Sequence, residues 1–163
     1  MNQEFKDRVS QFMACRRIAV AGYSSQGGQP ANGIYDRLKG SGYEVFAVNP
    51  KAGEIMEVPC FPNLAAIPGG VEAVAICTPP YATMAAVLQE CAELGIQYAW
   101  IHRSIDQGSY VEGAEAYAAE HGIRLIPAGC PLMFVNPDFG HRCMKWFFSW
   151  RGLLAAEEES VNG

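Results

Sequence analysis

Residues 18–33, IAVAGYSSQGGQPANG, constrain the fold more than any other part of this chain. Ile18, Ala19, Val20 and Ala21 read as a buried strand. The chain turns at Gly22, crosses a small, polar, glycine-rich loop, and can start a helix from about Pro30. A loop of this kind gathers backbone N–H groups around one point, and the positive end of the helix dipole faces the same point. An anion, usually a phosphate, can bind there. The run from Gly22 to Gly27 reads G-x-S-x-x-G. Serine thus occupies the position where the dinucleotide fingerprint has the glycine that lets a pyrophosphate approach closely.

The flanking segments extend the alternation of strand and helix. Residues 4–15 space Phe5, Val9, Phe12 and Met13 near the helical period, which predicts an amphipathic cap helix. Ile34, Tyr35 and Leu38 continue the helix that follows the loop, and Gly40-Ser41-Gly42 ends it. Residues 43–48 read as a second strand, stopped by Asn49-Pro50, and residues 51–64 as a polar excursion. The uninterrupted apolar run over 72–77 suits a third strand covered by helices on both faces. After the break at Thr78-Pro79-Pro80 come a helix over about 81–94, a strand over 98–102, a helix over 109–120 and a fifth strand over 124–126. Short connections with right-handed crossovers make this an α/β chain, a five-stranded parallel sheet layered between helices. Residues 1–16 are then an N-terminal cap helix and 17–131 the ligand-binding domain. Residues 132–163 form an aromatic extension of that domain, irregular up to Trp150, with a fraying tail from Glu157.

Composition sets limits on function. The 163 residues are 50% hydrophobic and 18% charged, which fits a globular domain able to bury its own core. A net charge of −5 offers no clustered cations for nucleic acid. The apolar runs are too short to span a bilayer, and the N-terminus has no signal-peptide pattern, so the expected compartment is the cytoplasm. The 6 cysteines lack C-x-x-C spacing and read as buried free thiols, and no histidine shares a metal-ligand spacing with a Cys or Asp.

In an open parallel sheet the ligand lies beyond the carboxyl ends of the strands. The loops that should converge there are 22–33, 49–51, 77–80, 102–104 and 127–131. The end of strand two is the most telling. An NAD site has an acid there to accept from the ribose hydroxyls, whereas this chain has Asn49-Pro50-Lys51. A lysine suits a ribose phosphate, which points to coenzyme A or NADP; the plainer alternative is a solvated loop lysine. Thr78, Pro79 and Pro80 would offer rings and a hydroxyl to adenosine, or serve as a rigid helix start. His102 and Arg103 could meet phosphates or a thioester, or His102 could simply be a hinge or surface residue. Cys130 reads as a buried structural thiol before it reads as a redox group. No nucleophile elbow or second large domain is present in the sequence, so binding without chemistry is the simpler expectation.

These residues resemble the small CoA-binding family, stand-alone relatives of the CoA-binding domain of succinyl-CoA synthetase α subunits. The motif G-x-S-x5-P-x2-G falls on Gly22, Ser24, Pro30 and Gly33, and V-N-P falls on Val48, Asn49 and Pro50. Phe61-Pro62-Asn63-Leu64 and Ile67-Pro68 also look like the family's segment between strands two and three. The resemblance implies a Rossmann-like fold and coenzyme A as ligand, free or acylated, with NADP less favoured and no enzymatic activity required. It puts the pyrophosphate at Gly22, Tyr23, Ser24, Ser25, Gln26, Gly27 and Gly28, beside Asn32. It puts a CoA phosphate at Lys51, next to Asn49 and Pro50, and the adenosine at Thr78, Pro79 and Pro80; His102 and Arg103 complete the candidate set. The chain departs from the pattern at Gln29, where arginine is usual, and around His102-Arg103-Ser104, which lacks a glycine. The remaining readings are an NAD(P) oxidoreductase or redox sensor, and a subunit supplying the CoA site to an acyl-CoA ligase. The aromatic tail is compatible with a homodimer or a contact to an acyl-CoA enzyme.

Overall fold

Parallel pairing of short apolar strands builds the centre of the molecule, a computed structural model describing residues 1–55, 57–104 and 106–155. The strands are β1 (Arg17–Ala21), β2 (Glu44–Val48), β3 (Cys60–Phe61), β4 (Ala73–Ile76), β5 (Tyr98–Ile101) and β6 (Arg124–Ile126). They lie in the order β3-β2-β1-β4-β5-β6, and every pairing is parallel. Ala21 stands level with Val48 on one side and Ile76 on the other. The chain winds outward from β1 to β3 and then returns to β4. The order therefore reverses between β1 and β4, and the loops above that point part to leave a crevice.

The helices are α1 (Gln3–Ala14), α2 (Pro30–Gly40), α3 (Pro80–Ala82), α4 (Gln89–Leu94), α5 (Ala114–Glu120) and α6 (Phe139–Trp150), with a π-helical stretch, Thr83–Leu88, joining α3 to α4. Although β1 is apolar from Ile18 to Ala21, its side chains still alternate between two layers. Ile18 and Val20 face Phe5 and Phe12 of α1, Ile34 and Leu38 of α2, and Phe148 of α6. Ala19 and Ala21 face Leu88 and Cys91, with Ala114 and Ala118 of α5 in the same cluster. Trp100 of β5 is fully buried and stands edge-on to Phe12 at 5.4 Å, while its indole N–H donates to the Ala128 carbonyl at 3.0 Å. Truncating so large a core side chain to alanine costs about 3–5 kcal/mol.

Local chemistry fixes the element ends. Asn2 caps α1 by accepting from the Phe5 N–H at 3.0 Å. Pro30 opens α2, where its missing N–H loses nothing. The Glu72 carboxylate accepts from the Arg17 and Arg16 N–H groups at 2.8 and 2.7 Å, locking the start of β1 beside β4. Those N–H groups hold the carboxyl below its ordinary pKa.

The sequence reading needs correction in several places. The sheet has six strands, not five, because Cys60–Phe61 adds an edge strand to β2. Pro59 and Pro62 flank it, and proline is tolerated at an edge. Helix α5 starts at Ala114 instead of 109, because Gly113 before it has φ +84 and breaks the helical run. The C-terminal region is not irregular over its aromatic part: Asp138 caps α6 by accepting from the His141 N–H at 2.9 Å. The tail from Glu157 lies outside the described residues. Among the described residues no helix is long and apolar enough to cross a membrane.

Candidate functional site

The site begins where β1 ends. Gly22 has φ +97, and a Cβ built there would stand 2.5 Å from the Cys77 carbonyl oxygen. The position therefore accepts glycine for both conformation and space. It brings the loop close over β4, while the Gly22 and Tyr23 N–H groups donate to the Val48 carbonyl at 2.9 and 3.3 Å. These two donors are committed to the fold. Tyr23 itself points into the core, edge-on to Tyr35 at 5.2 Å.

The loop holds itself in shape. Asn32, in the first turn of α2, clamps Ser24 from both sides: its Oδ1 accepts from the Ser24 N–H at 3.1 Å, and its Nδ2 donates to the Ser24 carbonyl at 2.8 Å. The Ser24 hydroxyl accepts from the Gln26 N–H at 3.0 Å. Among the described residues, no protein acceptor meets the N–H groups of Ser25, Gly27 or Gly28. The open donors thus lie at the loop tip and not at its root, in front of the N-terminus of α2.

Asn49 fastens the next strand end. Its Nδ2 donates to the Tyr23 carbonyl at 2.6 Å, its Oδ1 accepts from the Lys51 N–H at 2.8 Å, and its own N–H donates to Phe61 at 2.9 Å. One residue thereby joins the glycine loop, β3 and the turn that carries Lys51. Lys51 is exposed. Thr78 follows β4, and Thr83, which opens the π-helical stretch, gives its single proton to the Ser109 carbonyl at 2.8 Å and so accepts from Thr78 across 3.0 Å. That buried relay fixes Thr78 and ties the π-helical stretch to the loop after β5.

These ends enclose a cleft of about 410 Å³, a size that suits a nucleotide base and sugar. Gly22, Asn49, Pro50, Lys51, Thr78 and Pro79 line it, together with Pro62, Leu64, Val87 and Tyr81. Its walls are mainly apolar, and Tyr81 stands 79% exposed at its side. Glu90 also borders it, with one carboxylate oxygen engaged by the Ala65 N–H at 3.0 Å.

Not every residue singled out in the sequence faces this space. Pro80 opens α3 and is not in the lining, and neither are Ser25, Gln26, Gly27 and Gly28 of the loop tip. His102 directly follows β5, and its N–H donates to the Ile76 carbonyl at 2.9 Å. Burial holds its imidazole below the ordinary pKa, against an opposing pull from Asp106 and with help from His141. Arg103 pairs with Gly129 through its backbone, and its guanidinium lies 4.5 Å over the Tyr110 ring. Burial raises the Cys130 thiol to about 11, which suits a structural role.

The lining also contains residues that the sequence reading did not assign to the site. Pro62, Asn63 and Leu64 sit in a segment noticed as a family signature, but the edge strand β3 just before them was not. Tyr81, Ala82, Ala86, Val87 and Glu90 come from a helix with a π-helical stretch, whose lining spacing does not follow the 3.6-residue period used to read helix faces.

A family model for a CoA binding domain matches residues 16–136, covering every strand and the whole cleft. The chain belongs to that CoA-binding domain family. Its curated relatives include two ADP-forming acetate–CoA ligases of Archaeoglobus fulgidus. Form II is 35% identical over 68% of this chain and 18% of the ligase, and form I is 31% identical over 74% and 18%. The chain thus spans about a fifth of the length of those relatives. Among solved structures, a hypothetical protein from Pyrococcus horikoshii OT3 superposes with a TM-score of 0.69 at 26% identity, covering 78% of this chain and 87% of that one. The Ca. Korarchaeum cryptofilum dinucleotide-forming acetyl-coenzyme A synthetase 1, in complex with phosphate and ADP, gives 0.57 at 26% identity over 71% of this chain and 26% of its own. The resemblance to CoA-binding domains and the Rossmann-like α/β class therefore hold for this CoA-binding domain protein.

Proposed function

We propose that this chain binds coenzyme A, free or acylated, across the strand-end cleft and the glycine-rich loop. The observation that carries the reading is Lys51 in the cleft lining at the end of β2, where an NAD site needs an acid. The adenine enters the apolar walls near Pro62, Pro79 and Val87, with Tyr81 as a stacking face beside it. Lys51 meets the ribose phosphate, and the loop-tip N–H groups of Ser25, Gly27 and Gly28 meet the pyrophosphate. The pantetheine arm then runs towards His102 and Arg103. NADP shares the ribose phosphate but not the acyl-carrying arm, and family membership favours coenzyme A.

In this reading residues 17–131 carry the site, and the chain acts as a binding module without catalysis of its own. Burial raises both Cys77 and Cys130, so neither thiol near the strand ends is poised as a thiolate nucleophile. The second reading, a CoA-site subunit for a separate acyl-CoA ligase chain, is favoured by the identity with the Archaeoglobus ligases. Mass spectrometry of the nucleotide that co-purifies, followed by titration calorimetry with CoA, acetyl-CoA and NADPH, tests the proposal. Heat from the CoA compounds and none from NADPH is expected. No heat with CoA at high micromolar concentration rejects it. CoA ligation that appears only on mixing with an ATP-using ligase chain selects the second reading.

A further inference from the structure

Helix α6 lies beyond the family match, which ends at residue 136, so membership assigns it no role. Its inner face rests on the core through Met144 and Phe148. Its outer face carries Phe139, Cys143, Trp146 and Trp150, at successive spacings of 4, 3 and 4 residues. Alternation of this kind, repeating every 7 residues on average, is the seam by which one helix packs along another. Here the seam faces away from the body of the molecule. Phe139 is 82% exposed and both tryptophans are 70% exposed. The two indoles are already stacked, centroids 6.3 Å apart and planes 4° from parallel, so little side-chain freedom remains to be lost on docking.

We infer that this seam is a self-association surface whose occupant is α6 of a second copy of the chain. The area fits. Taking about 200 Å² for each aromatic side chain, the exposed parts of Phe139, Trp146, Phe147, Trp150 and the following Leu153 add to roughly 600 Å². Two copies would together bury about 1,200 Å², the lower bound for a stable interface. An apolar stripe of this kind can meet its own copy about a two-fold axis, which needs the same patch on both sides. Beside the indole ridge lies a groove of about 390 Å³, lined by Met1, Pro137, Arg142, Lys145, Trp146 and Ser149. An indole from the partner copy seated there would meet Arg142 and Lys145, and cations over an indole attract. A helix lying on a membrane would instead need its charged residues on the face opposite its apolar stripe. In α6 that opposite face is docked on the core, and Arg142 and Lys145 flank the stripe.

Sedimentation velocity of the full chain across about 1–200 µM tests this, with dimerisation expected in the micromolar range. Trp146→Glu and Trp150→Glu should each weaken it by about 100-fold, as expected for central aromatic anchors. Phe139→Ser, placed elsewhere on the same stripe, should weaken it as well. All of these side chains are exposed, so at a concentration where the parent chain is itself monomeric, circular dichroism and the thermal midpoint of each variant should match it. A monomer across the whole range would overturn the inference, and so would a dimer that survives all three substitutions. A monomer that instead binds anionic phosphatidylglycerol vesicles or a polyglutamate peptide would also overturn it.

Discussion

Replacing Lys51 by alanine probes the feature that separates this site from an NAD site. The side chain is exposed, so its attraction for a ribose phosphate is screened, and the dry-interior Coulomb figure does not apply. A charge-assisted hydrogen bond in such a setting contributes about 1–2 kcal/mol, which is about 5- to 30-fold in affinity. Lys51→Ala should therefore weaken CoA by that factor in titration calorimetry. Dephospho-CoA, which lacks the phosphate, should bind parent and variant alike. Raising the ionic strength should shrink the CoA difference, because exposed charges are screened within about 3 Å at 1 M salt. Equal losses for CoA and dephospho-CoA would refute the reasoning and leave Lys51 a solvated loop residue.

Other predictions follow from the same contacts. Gly22→Ala must hold φ +97 and a Cβ 2.5 Å from a backbone oxygen, so chemical denaturation should show a loss of about 3 kcal/mol. Asn32→Ala removes both hydrogen bonds to Ser24. At about 1 kcal/mol each, the loop tip should loosen and the affinities for CoA and dephospho-CoA should fall together by up to about 30-fold. The His102 imidazole is held below its ordinary value of 6.5. The unfolded chain therefore binds the extra proton first, and the associated stability is complete above pH 6.5 and is lost as the pH falls below it. Denaturation of the parent chain should show that slope, and His102→Asn should flatten it. Asp138, whose carboxyl is held down to about 2 by the His141 N–H, should contribute stability that is complete above its ordinary 3.8 and is lost as the pH falls from there towards 2.

The parallel sheet was legible because most of its strands are apolar runs that alternate with helical segments over short connections, although the order of the strands came only with the structure. The edge strand was not, because Cys60–Phe61 holds just 2 residues inside a polar stretch and has no period to detect. Helix α6 was hidden for a different reason. Its aromatic residues fall on both an inner and an outer face, with Arg142 and Lys145 between them, so they do not make the single apolar stripe by which a helix is read. At the site, motif and structure agree on where the loop lies, but its inner hydrogen bonds change the roles of its parts. Gly22, Asn32 and Asn49 act as fasteners, and the open donors move to Ser25, Gly27 and Gly28. Such a division depends on which carbonyl each N–H reaches, and residue type does not carry that information. The apolar wall from Tyr81 to Glu90 was out of reach because the π-helical stretch changes which residues share a face.

Amide chemical shifts of the unmodified chain, followed while CoA is added to saturation, test the central claim most directly. The account predicts the largest changes at Ser25, Gly27, Gly28, Lys51, Thr78 and Tyr81, with dephospho-CoA sparing Lys51. Saturation with CoA that leaves these amides unmoved, or moves a different face of the sheet, would contradict it.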